Sequence, residues 1–377
     1  MKFSFPSSKQ KNEQQEKVIL FVCVENAGRS QIAEGFFNIK YAPKGYQAIS
    51  AGTRPASQIN PLAVQVMKEI GIDISNQKSK IITEDMIRSS EKSVNMGCIA
   101  KTECPMLFIN NVIDWGIEDP KGKSIEKVRE IREEIERRVK EIAQSLQKQI
   151  AAKLTISQKR FAAEVIGTFI VVVLATGSVV IDAKLGGKLG LPFIAFAPFV
   201  GVAIGVYLFG KISMAHFNPA VTLGFLISGH ITKFQLLQYF AAEIVGALLA
   251  SLFVMSLIGT EASLGANAPD YSYPLPLVFG IEVLATALLM AVIYLVVYTK
   301  GLRRLGGLAI GGIVGLDIFF LAFISGASMN PARSLAPSLL SGVLGNLWIY
   351  WTATFIGSST IAFLVRRKLR ASRQSSN

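Results

Sequence analysis

The chain has 377 residues, 51% of them hydrophobic, and its 39 Lys+Arg against 26 Asp+Glu give a formal net charge of +13. That length allows two domains, and a mean hydropathy of +0.42 excludes an ordinary soluble pair. The charge is uneven, with 24 Lys+Arg and 19 Asp+Glu before Ser157 and 15 and 7 from there on, so a charge-rich soluble part precedes an apolar part with basic ends. Much of the basic excess flanks apolar runs and none is interleaved with aromatics, which reads as membrane-face charge and argues against nucleic acid as a partner.

Residues 1–16 are polar and are expected to be disordered. All three cysteines, Cys23, Cys98 and Cys104, follow within the first part. No apolar leader segment precedes them, which suits reducing cytoplasm and working thiols better than a disulfide scaffold. A buried parallel strand is predicted over Val18 to Val24, then a helix over Ser30 to Tyr41, a strand over Gln47 to Gly52 and a helix over Asn60 to Ile70. Further strands are expected at Ser93 to Met96 and Met106 to Asn110. From about Ser124, Ile125, Val128, Ile131, Ile135, Val139, Ile142, Leu146 and Ile150 recur at steps of three and four, giving a long helix with one apolar face. Alternating strands and helices predict a doubly wound α/β domain with a parallel sheet over residues 17–149, followed by a linker over 150–160.

Apolar runs of membrane-spanning length occupy the rest: Phe161 to Ile181, Leu191 to Phe209, Phe234 to Ile258, Leu275 to Tyr298, Leu305 to Ser325 and Leu347 to Val365. These predict an all-α membrane domain over 161–366, surrounded by membrane lipid, and a basic tail over 367–377. The halves repeat. Phe161-Ala-Ala-Glu-Val resembles Phe279-Gly-Ile-Glu-Val, and Asn218-Pro-Ala-Val recurs as Asn330-Pro-Ala-Arg. Three spans per repeat is an odd number, so the second copy must be inverted. Basic residues concentrate before the first span, in the second and fourth connections, and after the last span, which predicts that both termini are cytoplasmic.

The segment Val22-Cys-Val-Glu-Asn-Ala-Gly-Arg-Ser joins the first strand to the first helix. Backbone N–H groups of such a loop, Glu25-Asn26-Ala27-Gly28-Arg29, point inward at a helix N-terminus and hold a tetrahedral oxyanion. Arg29 adds a bidentate clamp. The same field stabilises a thiolate, so Cys23 is the expected nucleophile, with Ser30 donating a hydrogen bond to it. Asn26 suits a strained turn, while Glu25 must point to solvent for an anion to be held. A buried structural cysteine is the blander reading.

With Ser50-Ala51-Gly52-Thr53, Asp114-Trp115 and Asp119-Pro120 downstream, residues 17 to 148 resemble the low-molecular-weight tyrosine phosphatase family in its arsenate reductase branch. The resemblance implies that Asp119 is the general acid. Reducing As(V) to As(III) takes two electrons, which a second thiol attacking Cys23 can supply. Cys98 and Cys104, in Met-Gly-Cys-Ile-Ala-Lys-Thr-Glu-Cys-Pro, look like that relay: Cys98 resolves Cys23, and Cys104 passes the disulfide to thioredoxin or a similar thiol reductant. The loop lacks the Gly-Asn and second cysteine common in phosphatases, and Lys121 replaces their tyrosine after Asp-Pro. Two unrelated buried cysteines are the alternative. No bound cofactor and no metal is expected.

Twin Asn-Pro-Ala segments, Asn218-Pro219-Ala220 and Asn330-Pro331-Ala332, at matching places in an inverted six-span repeat resemble the aquaporin, or major intrinsic protein, family from about Gln158 to Arg366. The resemblance implies six transmembrane helices, two re-entrant half-helices and a homotetramer. Asn caps each half-helix and Pro follows where its missing N–H costs nothing. Positive dipole ends meeting at the midplane repel cations, while the asparagine amides donate to passing hydroxyls. Glu164 and Glu282 are expected to accept hydrogen bonds from the re-entrant loops, and His216 and His230 to pack there.

The family's constriction ring maps onto Pro198, Ile318, Ala327 and Arg333. Water-specific members carry His where Ile318 stands, so the ring looks similar to metalloid-permeable plant members, whereas Ser334 and Tyr350-Trp351 look water-channel-like. Asp317, beside the ring, is assigned equally to a helix interface or to the pore. Together the halves suggest a bifunctional arsenic-detoxification protein of the cell membrane. Arsenate, a phosphate-like oxyanion, would be reduced at Cys23, and neutral arsenous acid would leave through a pore open also to water or small polyols. The alternatives are a water or glycerol channel with a fused phosphatase, or one with a silent anion-binding module.

Overall fold

In a computed structural model, residues 16–374 are described except 98, 103, 109–111 and 300. The chain divides into two compact units, one ending at Lys153 and the other beginning at Leu154. The segment expected to be disordered therefore lies, apart from Glu16, outside the described residues.

The first unit is built on a parallel sheet in the order β2-β1-β3-β4, with β1 (Lys17–Cys23), β2 (Tyr46–Gly52), β3 (Ser90–Asn95) and β4 (Val112–Asp114). Its central strand β1 is apolar throughout Val18 to Cys23 because both sheet faces are covered. On one face, Ile19 and Phe21 pack with Ile32, Phe36 and Phe37 of the first helical segment, and with Ile131, Ile135, Val139 and Leu146 of the long helix. On the other, Leu20 and Val22 meet Ile87, Ile99 and Leu107, with Cys104 packed beside them. Helix α1 (Arg29–Phe36) passes into a wider turn over Phe37–Tyr41. Helix α2 (Pro61–Lys68) begins with Pro and is capped by Asn60, whose side chain accepts from Leu62 N at 2.9 Å.

One expectation changes, and two further elements were not anticipated. Pro105–Phe108 is a 3-10 turn, so the strand expected at Met106 to Asn110 is absent over 106–108. The fourth strand instead uses the β-branched pair Val112-Ile113. Helix α3 (Glu84–Ser89), capped by Thr83, was not foreseen because six residues carry too little periodicity. Helix α4 runs over Ile125–Lys184, so residues 150–160, expected to be a linker, are helical; no Gly or Pro interrupts that stretch.

Among the described residues, six helices are long and apolar enough to span a membrane. They are the apolar end of α4, α5 (Gly190–Ser213), α7 (Lys233–Leu257), α9 (Leu275–Tyr298), α10 (Gly306–Ser325) and α12 (Leu347–Gln374). Between them lie two short helices, α6 (Pro219–Ile227) and α11 (Pro331–Ser341), and a left-handed turn, α8 (Glu261–Gly265). Thr232 and Gln235 form a reciprocal capping box at the start of α7. The basic tail continues α12 as far as Gln374.

Candidate functional site

Cys23 ends β1 with 3% of its surface exposed, and the loop beyond it turns at Asn26 in the left-handed region (φ 47°). The backbone N–H of Asn26 lies 3.2 Å from the Cys23 Sγ, and the Ser30 hydroxyl lies 3.0 Å from it. The Asn26 N–H donates to the sulfur, and in the Ser30 contact either the sulfur or the hydroxyl can donate. A non-glycine residue in the left-handed region costs on the order of 1 kcal/mol. Asn26 offsets this by using its whole amide: Nδ2 donates to Ser30 and Ser50 hydroxyls at 2.8 Å each, and Oδ1 accepts from Lys80 N at 2.7 Å and Gln31 Nε2 at 3.1 Å. Its carbonyl accepts from Gln31 and Ser79, both at 2.9 Å.

Gly52 lies beside this turn. A Cβ there would stand 2.5 Å from Val24 O and 2.9 Å from Asn26 N, so the end of β2 must be glycine for the loop to seat. Residues 117–121 border the loop. Arg29 donates to Ile117 O at 2.7 Å and to Asp119 Oδ2 at 2.6 Å, and Lys121 N donates to Asp119 Oδ1 at 3.0 Å. The Pro120 ring rests on Gly28, where a Cβ would lie 3.0 Å from Pro120 Cγ. Glu25 carries its carboxylate outward to Lys121 Nζ, 2.6 Å away, and that neighbour raises the Lys121 ammonium above its usual range.

Thus Cys23, Asn26, Arg29, Ser30 and Asp119 stand around one loop. Cys98 lies outside the described residues, and Cys104 is half-buried after Ala100, whose carbonyl accepts its N–H at 3.3 Å. The fully buried Asn95 ties Ile99 and Asp114 together, donating to the Ile99 carbonyl at 3.1 Å and to Asp114 Oδ2 at 3.0 Å. Gln31, Lys80 and Asn95 escaped the sequence reading because a helical glutamine, a loop lysine N–H and a strand-end asparagine carry no spacing signal.

In the second unit the two Asn-Pro-Ala segments hold each other. Asn218 Nδ2 donates to Met329 O at 2.8 Å, and Asn330 Nδ2 to Phe217 O at 2.9 Å. Each side-chain oxygen caps its own helix, accepting from Ala220 N at 2.9 Å and from Ala332 N at 3.0 Å. Left-handed residues match across the halves, Ala215 with Ala327 and Phe217 with Met329. Glu164 accepts from the Ser213 hydroxyl (2.5 Å), His216 N (3.1 Å) and Phe217 N (2.7 Å). Glu282 does the same for Ser325 (2.8 Å), Ser328 N (2.9 Å) and Met329 N (3.2 Å). Tyr239 and Tyr350 complete the pairing, donating to the carbonyls of Ser213 and Ser325. Backbone groups that leave helical geometry are satisfied by protein here, as a lipid environment requires.

A cavity of about 640 Å³ is lined by Asn218, Asn330 and all four ring residues, Pro198, Ile318, Ala327 and Arg333. Arg333 is fixed by donating to Gly265 O at 2.9 Å and to Asn267 Oδ1. Asn267 also accepts from Ser334 at 2.9 Å and donates to Gly326 O at 2.8 Å. This positioning residue sits in a loop without periodicity, which hid it. His216 packs between Phe225 and Tyr239 and bonds Thr222, which in turn donates to the buried Glu243 at 2.6 Å. His230 lines the cavity and bonds Ser228 and Tyr298. Asp317 is 3% exposed and is not among the residues lining the cavity.

Residues 151–365 match the family model for the major intrinsic protein. The chain belongs to the major intrinsic protein family. Aquaporin NIP1-1 of Zea mays is 37% identical over 202 residues, 53% of this chain and 71% of that protein. The aquaglyceroporin from Plasmodium falciparum superimposes with a TM-score of 0.50 at 22% identity, covering 56% of this chain and 96% of its own, a likeness of fold. Residues 18–152 match the model for the low molecular weight phosphotyrosine protein phosphatase, so the aquaporin-type channel carries a domain of that family. A thioredoxin-dependent arsenate reductase of Corynebacterium glutamicum is 38% identical, covering 36% of this chain and 65% of its own, with a TM-score of 0.31.

Proposed function

We propose that this major intrinsic protein is a bifunctional arsenic-detoxification protein, with an arsenate reductase facing the cytoplasm and a channel that releases the product. One observation supports the reading: a single chain holds a cysteine at a strand end, in contact with Asn26 N and the Ser30 hydroxyl, and a cavity whose lining is apolar at Ile318 and Ala327. The Cys23 thiolate attacks arsenate, and an arsenic–oxygen bond breaks with Asp119 protonating the departing oxygen as water. The Cys98 thiolate then attacks Cys23 Sγ. A disulfide forms, the sulfur–arsenic bond breaks, and its electron pair stays on arsenic as As(III). Cys104 attacks Cys98 to release Cys23, and an external dithiol reduces the Cys98–Cys104 disulfide.

Arsenous acid is a neutral trihydroxide at physiological pH. The half-helix N-termini and Arg333 oppose cations in the pore while their donors serve hydroxyl groups, so the product can pass where ions cannot. The family match of residues 18–152 favours a second reading, a phosphatase fused to a water or glycerol channel.

The test expresses the full chain, Cys23→Ser, Cys98→Ser, Cys104→Ser and an Arg333→Ala variant in arsenic-sensitive cells lacking their own reductase and efflux. The proposal expects arsenate tolerance from the parent alone, and arsenite release that Cys23→Ser leaves intact. A Cys98→Ser variant as protective as the parent overturns the relay. Phosphotyrosine turnover that survives loss of both Cys98 and Cys104 supports the phosphatase.

A further inference from the structure

Glu25 is an unexpected residue in an oxyanion loop, since a carboxylate two residues past the thiol repels the ion the loop is built to hold. Its partner Lys121 is equally notable, standing two residues after Asp119 on the segment that borders the loop. Four charges meet at this rim: Arg29 pairs with Asp119 at 2.6 Å, and Lys121 with Glu25 at 2.6 Å. The cations of the two pairs differ in burial, whereas both carboxylates are exposed, Asp119 at 58%. The Arg29 side chain is 7% exposed and also holds Ile117 O, whereas Lys121 and Glu25 are 70% and 45% exposed.

An ion pair so exposed contributes little to holding a segment in place. Arg29 and the Pro120–Gly28 contact already do that. Lys121 is therefore anchored at its backbone, through the Lys121 N to Asp119 bond, and mobile only along its four-carbon stem. An arriving oxyanion carries up to two negative charges, while Arg29 and Lys121 are both neutralised by carboxylates of this rim. Entry is a competition for both.

Building on the oxyanion-loop reading above, we propose that Lys121 is a second cation of the oxyanion site. Glu25 holds it at the rim until an oxyanion displaces that carboxylate. Glu25 thereby sets how tightly a phosphate-like ion binds and eases its release, and Lys121 gives the rim a preference for charge over shape. A merely structural strap would make the two residues equivalent, whereas in this exchange they act with opposite sign.

The experiment measures inorganic phosphate binding by calorimetry to the full chain in detergent, with Cys23→Ser throughout to prevent turnover. Lys121→Gln should weaken binding roughly fivefold, the size expected of one part-exposed charge pair, and Lys121→Arg should restore most of it. Glu25→Gln should tighten binding about threefold, and in the Lys121→Gln background most of that gain should vanish. Raising salt to about 0.5 M should compress all these differences. Equal weakening by Lys121→Gln and Glu25→Gln would mean a strap, and an unchanged affinity for Lys121→Gln would equally overturn the proposal. A parent that binds no phosphate at all would instead defeat the oxyanion-loop reading itself.

Discussion

Asn218 and Asn330 each donate to the carbonyl just before the other, Asn218 to Met329 and Asn330 to Phe217, at 2.8 and 2.9 Å. Each amide also caps its own half-helix through its oxygen. Asn330→Ala therefore loses a cap and a cross-loop bond together, about 2 kcal/mol. The apparent thermal midpoint of the detergent-solubilised protein should fall by roughly 4–8 °C. Solute permeation in proteoliposomes should fall too, and a variant matching the parent in both would detach the tripeptides from pore stability.

Glu282 serves three donors of the second re-entrant loop, Ser325, Ser328 N and Met329 N. Glu282→Ala leaves them buried without an acceptor, at about 1–3 kcal/mol each. Folded yield should collapse. Glu282→Gln keeps one acceptor oxygen and should be milder, a ranking readable by size-exclusion profile.

Removal of Asn267 acts on selectivity and not on pore formation. Its side chain holds Arg333 and Ser334, so Asn267→Ala should free the guanidinium to swing. Osmotic shrinkage assays should show altered glycerol-to-water permeability with the yield nearly unchanged. Ile318→His, which replaces an apolar wall of the ring by a polar one, should lower glycerol passage more than water passage. Proportional loss of both would argue against Ile318 as a sieve.

In the first unit the sharpest prediction is Gly52→Ala. The added methyl meets Val24 O at 2.5 Å and Asn26 N at 2.9 Å, so the loop must move or the strand end must strain. A cost of roughly 1–3 kcal/mol is expected. Phosphate binding should be lost before the fold is, as seen by comparing calorimetry with a thermal melt.

Much of this was legible beforehand, and the exceptions share a cause. The six spans and the paired Asn-Pro-Ala segments stand out because lipid demands long apolar runs and because a motif repeated at matched positions is rarely accidental. Strand β1 stood out through its β-branched run, and Cys23 through its place at that strand's end. What stayed hidden were groups whose role is set by distant partners. Asn26 could be assigned a turn, but that Gln31, Ser50 and Lys80 saturate it depends on three separate segments meeting. Asn267 lies in an irregular connection, and its hold on Arg333 spans 66 positions. The strand misplaced at Met106 shows the converse, because Met106 to Phe108 is apolar enough for a strand yet follows Pro105 into a 3-10 turn.

Neither Glu164 nor Glu282 lines the cavity; both stand behind the loops whose backbones they hold. The two carboxylates thus secure the re-entrant loops from behind, while Asn218 and Asn330 both hold those loops together and face the cavity. The side chains of Ile318 and Ala327 take no part in those carboxylate bonds, so exchanging them leaves the anchors of both loops in place.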